Sequence, residues 1–341
     1  MINNPYSTAG RNQLAWVKIG LAIRFAQTLQ LSQEPEEHLA FHEKEERRFT
    51  FWSVYFLDKL VSCARSHPPT ILDSDCTIRL PLHDTSEWSC TSWIEMSPTL
   101  AALSNIPDLN VLDETNHFAL MIFMSSVLGL IVRWAFQQHS KDINLPWDSR
   151  SEFSRIYGIL LSFESYAVGT GPFETFEAVM ERCFELRGNV DFQQACHYIY
   201  AHLLYHVDQC LLHHPFLLRQ RLKTSNVRVP PGFISMAVER SRKHAVFLSR
   251  ILNMLQQYDC EVVPSFFGYA AVIAGVVHYL HSRTSHRFPQ EQSEGNFQAC
   301  VLFLEREPAS WDTFRRMVGI SLPWHPLILA NRVAERRLTK L

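Results

Sequence analysis

Between Glu45 and Pro81 the sequence allows little choice of fold: an aromatic-faced helix, an enforced stop, and an acidic loop. Phe49, Trp52, Phe56, Leu60 and Cys63 recur at three- and four-residue steps, which sets them on one helical face. Glu43 stands four residues before Arg47 and Glu45 three before Arg48, so acid–base pairs are expected on the first turns. The Pro68-Pro69 pair ends the helix, because proline has no amide to donate and disfavours helical geometry in the residue before it. Thr70 to Pro81 alternates acidic and apolar residues and closes on Leu80-Pro81. It reads as an ordered loop laid across a helical core.

The same periodicity runs through the rest of the chain. Gln13–Leu31 sets Leu14, Val17, Leu21, Phe25 and Thr28 on one side, while Gly20, Ala22 and Ala26 would let a second helix approach closely. An acidic loop with Pro35 separates it from the next helix. His83–Asn110 is polar and predicts an extended connection with at most a short helix. Further helices are expected at Glu114–Gln138, Trp147–Tyr166, Gln193–Leu222, Ser235–Gln257 and Val262–Leu280, with closing helices carrying Cys300, Phe303, Leu304, Trp311 and Met317. Strand alternation is absent, so the expected fold is all-α: one large multi-helix domain with its helices packed in layers. Residues 1–12 are expected to be a disordered or partial N-terminus, 13–320 the domain, and 321–341 a C-terminal tail or helix.

Composition narrows the function classes. A hydrophobic fraction of 47% supports a packed core, and a net charge of −2 lacks the basic footprint of a nucleic-acid binder. Cysteines stand at 63, 76, 90, 183, 196, 210, 260 and 300, without a Cys-x-x-Cys pair, so zinc-cluster spacing is missing. They read as reduced thiols packed as small apolar groups. The start of the chain lacks the pattern of a secretory signal. Phe118–Val132 and Val262–Leu280 approach a membrane span, but the first is short and the second holds Pro264, two glycines and His278, so both read as buried core helices.

Candidate chemistry mostly fails on spacing. His202 and His206 share a helical face without the glutamate or third ligand of a His-Glu-x-x-His site, and are expected to hydrogen-bond inside the helical stack. His278, His281 and His286 around Arg283 read as a solvated helix end. Gly169-Thr170-Gly171 lacks the rest of a phosphate loop, and Gly-x-Ser-x-Gly does not occur. Asp73 and Asp75 read as ion-pairing and capping groups beside Arg65 and Arg79. The basic groups Arg219/Arg221/Lys223, Arg240/Arg242/Lys243 and Arg332/Arg336/Arg337 read as solvated helix sides. No catalytic, cofactor-binding or metal-binding residue is assigned, and the chain is expected not to be an enzyme.

The order Arg47-Arg48, Phe51-Trp52, Leu57-Asp58-Lys59, Ala64-Arg65, Pro68, Asp73-x-Asp75 and Leu80-Pro81 resembles the regulatory domain, or middle homology region, of fungal zinc-cluster transcription factors. Where that family usually has Gly-Arg-Pro, this chain has Ala64-Arg65-Ser66-His67-Pro68. The Gly20–Ala26 stretch, Tyr205-His206, His214-Pro215-Phe216 and Phe266-Phe267-Gly268-Tyr269 match further parts of the pattern, so the resemblance covers about residues 10 to 318. It implies a nuclear regulator of RNA polymerase II genes, acting on a metabolic or specialised-metabolite gene cluster through its helical domain. Family members bind zinc and promoter DNA through an N-terminal cluster that this chain does not contain, so no cofactor is expected here. Implied partners are related regulators in homo- or heterodimers and a small-molecule effector, with no membrane. Two other readings stay open: a truncated regulator working by protein–protein association, and an all-α ligand-binding protein or enzyme on the same scaffold.

Overall fold

The computed structural model describes residues 12–65, 67–82, 97–105, 116–136, 144–169, 192–222, 227–257, 265–284 and 290–306. Among them are ten α-helices and no strand. The helices are α1 (Asn12–Thr28), α2 (Phe41–Arg65), α3 (Leu100–Asn105), α4 (His117–Phe136), α5 (Glu152–Gly169), α6 (Phe192–Leu212), α7 (Pro215–Leu222), α8 (Pro231–Gln257), α9 (Ser265–Thr284) and α10 (Gln290–Arg306). They stack in sequence: α1 on α2, α2 on α4, α4 along α6, α6 against α8, and α8 against α9 and α10. The all-α expectation is met.

Local chemistry sets the helix ends. Asn116 caps α4 by accepting the Ala119 amide at 3.0 Å, and Ser151 caps α5 by accepting the Ser154 amide at 3.1 Å. Pro231 occupies the first position of α8, where a missing amide costs nothing. The long pattern read at Gln193–Leu222 divides into α6 and α7. Pro215 cannot continue the α6 ladder and pushes His214 out of helical geometry, so the chain turns at His213-His214 and restarts.

Helix α4 is long and apolar enough to cross a membrane by length and composition. Sixteen of its twenty residues are buried inside this chain, which makes it the central core helix. Its Ser125 and Ser126 hydroxyls donate to the carbonyls of Ile122 and Phe123, both at 2.7 Å, so they enter the core with their donors satisfied. Trp311, Met317 and the Arg332–Arg337 group lie outside the described residues.

On helix α1 the small Ala26 lies on the contact side, as the close-approach reading expects, whereas Gly20 is exposed. Ala15, Ile19, Ile23 and Ala26 are buried on α2, and the larger Leu14, Val17, Leu21 and Phe25 are exposed. Both sides are apolar, so periodicity finds the helix without choosing its buried face. The helix ends in a Schellman turn: the Leu31 amide donates to Ala26 O at 2.9 Å and the Gln30 amide to Gln27 O at 3.1 Å. Gln30 takes the left-handed position at φ 51°, and the buried pair Leu31 and Ala26 closes the turn.

Candidate functional site

Helix α2 and the loop behind it form the densest polar construction among the described residues. The aromatic stripe is wider than the sequence reading had it: Phe51 and Tyr55 are buried with Trp52, Phe56 and Cys63, whereas Phe49 and Leu60 are half-buried. Charges sit on the same buried side, since Glu45, Arg48, Asp58 and Lys59 are almost fully enclosed. Burying them unpaired would cost several kcal/mol each, so each needs partners. The loop supplies most of them.

At the N-terminal end the Arg48 guanidinium pairs with both Glu45 and Glu34. The two carboxylates then reach the loop backbone, Glu45 accepting the Leu82 amide at 2.9 Å and Glu34 the Arg79 amide at 3.0 Å. One turn on, the Trp52 indole donates to Arg79 O at 2.8 Å. Further along, Lys59 donates to Ile71 O and to Asp73 Oδ1, both at 2.8 Å, and the Tyr55 hydroxyl donates to the same Asp73 oxygen at 2.6 Å. Asp58 accepts the Ile71 amide at 2.8 Å. Residues 45, 48, 52, 55, 58 and 59 therefore stitch the segment 71–82 onto one helix face.

The far edge of the loop is held as well. Leu80 donates its amide to Pro98 O at 3.0 Å, Ser97 donates its hydroxyl to Leu80 O, and Asn116 donates to Pro81 O at 2.7 Å. Asn116 thus joins the loop to the first turn of α4. The ordered loop expected across the core is present, with a short 3-10 turn at Asp73–Asp75. Gly129 on α4 makes room for it: a β-carbon there would stand 2.9 Å from Lys59 Cδ.

Two pairings read from sequence are corrected. Asp73 is held by Lys59 and Tyr55, whereas Arg79 bonds Ser97 O at 3.2 Å. Arg47 donates to Leu29 O at 3.0 Å and Glu43 accepts the Ala40 amide at 3.1 Å, so both cap helix ends instead of pairing. Glu45–Arg48 forms as expected. The Arg65 side chain lies outside the described residues. Sequence reasoning missed Glu34, Tyr55 and Asn116. The signal available was that Glu45, Arg48, Tyr55 and Lys59 follow the helical spacing of the aromatic stripe.

A second polar seam runs between α5, α6 and α8. His206 and His244 face each other through their Nδ1 atoms at 2.9 Å, one imidazole donating to the other, and His206 stacks on Phe247. Burial lowers His206 and takes His244 down to about 3, so both are neutral. His213 hydrogen-bonds Gln209 O at 2.9 Å, between the ring edges of Phe153 and Tyr157. Arg240 and Lys243 pair with Glu164, and Arg242 with Glu239, so this basic group is ion-paired and not simply solvated. No group of three metal-ligating side chains occurs among the described residues.

His278 and His281 are also corrected: both are buried, and His286 lies outside the described residues. His278 Nε2 lies 2.9 Å from Ser249 Oγ, with Cys300 Sγ 3.4 Å from the same oxygen. A buried Ser–His pair invites a nucleophile reading, but the Ser249 hydroxyl donates to Ala245 O at 3.1 Å. His278 must then donate to Ser249 and cannot act as its base. Its Nδ1 has no carboxylate to orient it among the described residues. Cys63 and Cys76 are pushed up to about 12 and Cys300 to about 11 by burial, so the thiols are unreactive core groups.

The stitched helix and loop lie within a segment that resembles a known family profile. Residues 6–157 match the profile described as the fungal specific transcription factor domain. An uncharacterized transcriptional regulatory protein of Schizosaccharomyces pombe is 25% identical over 209 residues, which cover 56% of this chain and 20% of that protein. A second from the same organism is 23% identical, covering 79% of this chain and 42% of its own length. The Zn(2)-C6 fungal-type transcription factor FTF1c of Fusarium oxysporum f. sp. lycopersici is 22% identical, covering 96% of this chain and 36% of that protein. The chain thus spans between a fifth and about two-fifths of the length of these relatives. No solved structure matches it. Residues 6–157 are thus similar to the fungal specific transcription factor domain, and most of the chain is similar to parts of fungal transcription regulators.

Proposed function

We propose that this chain regulates transcription of RNA polymerase II genes in a fungal nucleus, and that its targets form a metabolic or specialised-metabolite gene cluster. Residues 13–320 act as one regulatory domain, and the work is done by conformation and association, without catalysis. The observation that supports this reading is the α2–loop module. Its conspicuous charged and aromatic residues (Arg48, Trp52, Asp58, Lys59, Asp73) are spent on holding the loop to the helix.

Contact with promoter DNA is assigned to a zinc-cluster module of the kind that the Zn(2)-C6 relatives are named for. A fusion to a heterologous DNA-binding domain supplies that module from outside. In a fungal reporter strain the fused chain should change reporter output severalfold, in either direction. An Asp58→Ala version, with the loop released, should lose the effect. Reporter output equal to that of the DNA-binding domain alone would overturn the proposal.

A further inference from the structure

Helices α5, α6 and α8 bring together more polar atoms than they pair. Tyr205, Gln209 and His213 follow at four-residue steps, so they share one face along the last turns of α6 and just past its end. That face meets α8 running the other way: His206 contacts His244, and one turn on Cys210 Sγ lies 3.5 Å from Ser241 O. From α5, Phe153 and Tyr157 set their rings against His213. Gln209 Oε1, His213 Nε2, Ser241 Oγ and His244 Nε2 are all buried here without a hydrogen-bond partner. Their side chains belong to residues no more than 1% exposed. Each unpaired buried group costs about 1–3 kcal/mol, and native interiors leave few of them, so four on two facing helices call for a partner.

The bonds already made decide what that partner must offer. His213 gives its Nδ1 proton to Gln209 O at 2.9 Å, and burial lowers its pKa to about 4, so Nε2 is a bare acceptor. Gln209 spends its amide nitrogen on the Tyr205 hydroxyl at 3.3 Å, which leaves Oε1 as a second acceptor. The Ser241 hydroxyl can donate or accept. The partner therefore needs at least two hydrogens to donate. A cation would face the net positive group formed by Arg240, Lys243 and Glu164 at the edge of the seam. An anion would face two acceptors.

Size and walls narrow it further. Between the levels of His206 and His213 the helix rises about 10 Å. The rings of Tyr157 and Tyr205 line that length, and the Tyr205 ring stands 5.3 Å from that of His244. Ordered water needs two to four polar partners apiece, which ring walls do not supply, whereas carbon packs well against them. We infer that the seam between α5, α6 and α8 binds a small neutral polyol, its hydroxyls donating to Gln209 and His213 and bonding Ser241, its carbon chain against the tyrosine rings. The partly exposed ion pairs of Glu164 with Arg240 and Lys243 form the rim through which it enters. This goes beyond the transcriptional reading and stands without it.

The test is equilibrium dialysis of the full 341-residue chain against radiolabelled glycerol, erythritol, xylitol and sorbitol. One of the longer polyols should bind saturably, one per chain, at least about tenfold more tightly than glycerol. Ser241→Ala and Gln209→Met each remove one unpaired atom at similar volume, and each should weaken binding at least about tenfold. Melting curves of both variants check that the chain still folds. A third variant, Arg219→Ala on the exposed side of α7, should bind as the wild type does. Absence of saturable binding by all four polyols, or binding that survives both seam substitutions, would overturn the inference. In the first case a lower melting temperature for Ser241→Ala would assign the seam to ordered water.

Discussion

Asp58, enclosed within α2, accepts the backbone amide of Ile71 at 2.8 Å across the Pro68-Pro69 turn. Desolvation raises its pKa, opposed by hydrogen bonds from Ile71 and Thr70 and by the Lys59 charge. Asp58→Ala leaves the Ile71 amide without its acceptor and removes one of the two carboxylates near Lys59, Asp73 remaining. The expected loss is about 2–4 kcal/mol in urea unfolding. Asp58→Asn keeps an acceptor oxygen and sheds the desolvation cost, so it should fall within about 1 kcal/mol of wild type. Equal losses for the two variants would contradict this account.

Gly129 lies in the middle of the core helix, where alanine would ordinarily be favoured by about 1 kcal/mol. Here a β-carbon would press on Lys59 Cδ at 2.9 Å, and Lys59 cannot swing away without releasing Ile71 O and Asp73. Gly129→Ala should therefore destabilise by about 1–2 kcal/mol. The paired variant Gly129→Ala, Lys59→Met should lose less than the sum of the two single changes, which a double-mutant cycle would measure.

Gln30 holds a left-handed position where glycine has no steric cost. Gln30→Gly should stabilise the chain by about 0.5–1 kcal/mol, because the strain of a left-handed side chain exceeds the added backbone entropy. Gln30→Val should destabilise it by more than that. Thermal melts of the two variants moving in the same direction would refute the Schellman assignment.

Buried histidines set the response to acid. Burial lowers His202, His213, His214 and His278 to about 4 and His244 to about 3, and also lowers His206 and His281. The unfolded chain takes up these protons near pH 6.5 and the folded chain does not, so stability falls as pH drops from about 6.5 towards 4. Each group held at about 4 withdraws roughly 3 kcal/mol across that window. Asp58 and Asp208 act the other way, since their raised values make the folded form the better proton acceptor as pH falls. Seven imidazoles outweigh two carboxyls. Unfolding should therefore occur in mild acid, well above pH 4, and a melting temperature that stays flat from pH 7 to pH 5 would sink the argument.

Asp208 adds a variant with its own pH signature. It is fully buried and neither carboxyl oxygen has a hydrogen-bond partner among the described residues. The folded chain keeps the proton that the unfolded chain releases, so the cost grows by about 1.4 kcal/mol per pH unit above the ordinary carboxyl range. Asp208→Leu should gain stability over wild type at pH 8 and gain less at pH 6. A pH-independent difference would remove the neutral-acid assignment.

Helix positions were readable because hydrophobic spacing is a property of the chain alone. Glu45–Arg48, the Pro68-Pro69 stop and the laid-over loop all follow from local rules, and the structure keeps them. Pro215 also carried its signal locally, but the unbroken apolar spacing around it hid the break. Part of the resemblance rests on residues the fold buries, namely Arg48, Phe51, Trp52, Asp58, Lys59 and Leu80.

What sequence could not decide were choices between faces. Helix α1 offers two apolar stripes, and the smaller side chains of Ala15 and Ala26 win the contact with α2 because they admit a closer approach. Arg48, Asp58 and Lys59 are charged in any sequence reading. They became interior groups only because Glu34 on the segment before α2, and Ile71 and Asp73 brought back by the turn after it, supply the partners that make burying a charge tolerable. Periodicity along the chain settled where helices form, and complementarity between distant segments settled which of their faces the protein keeps inside.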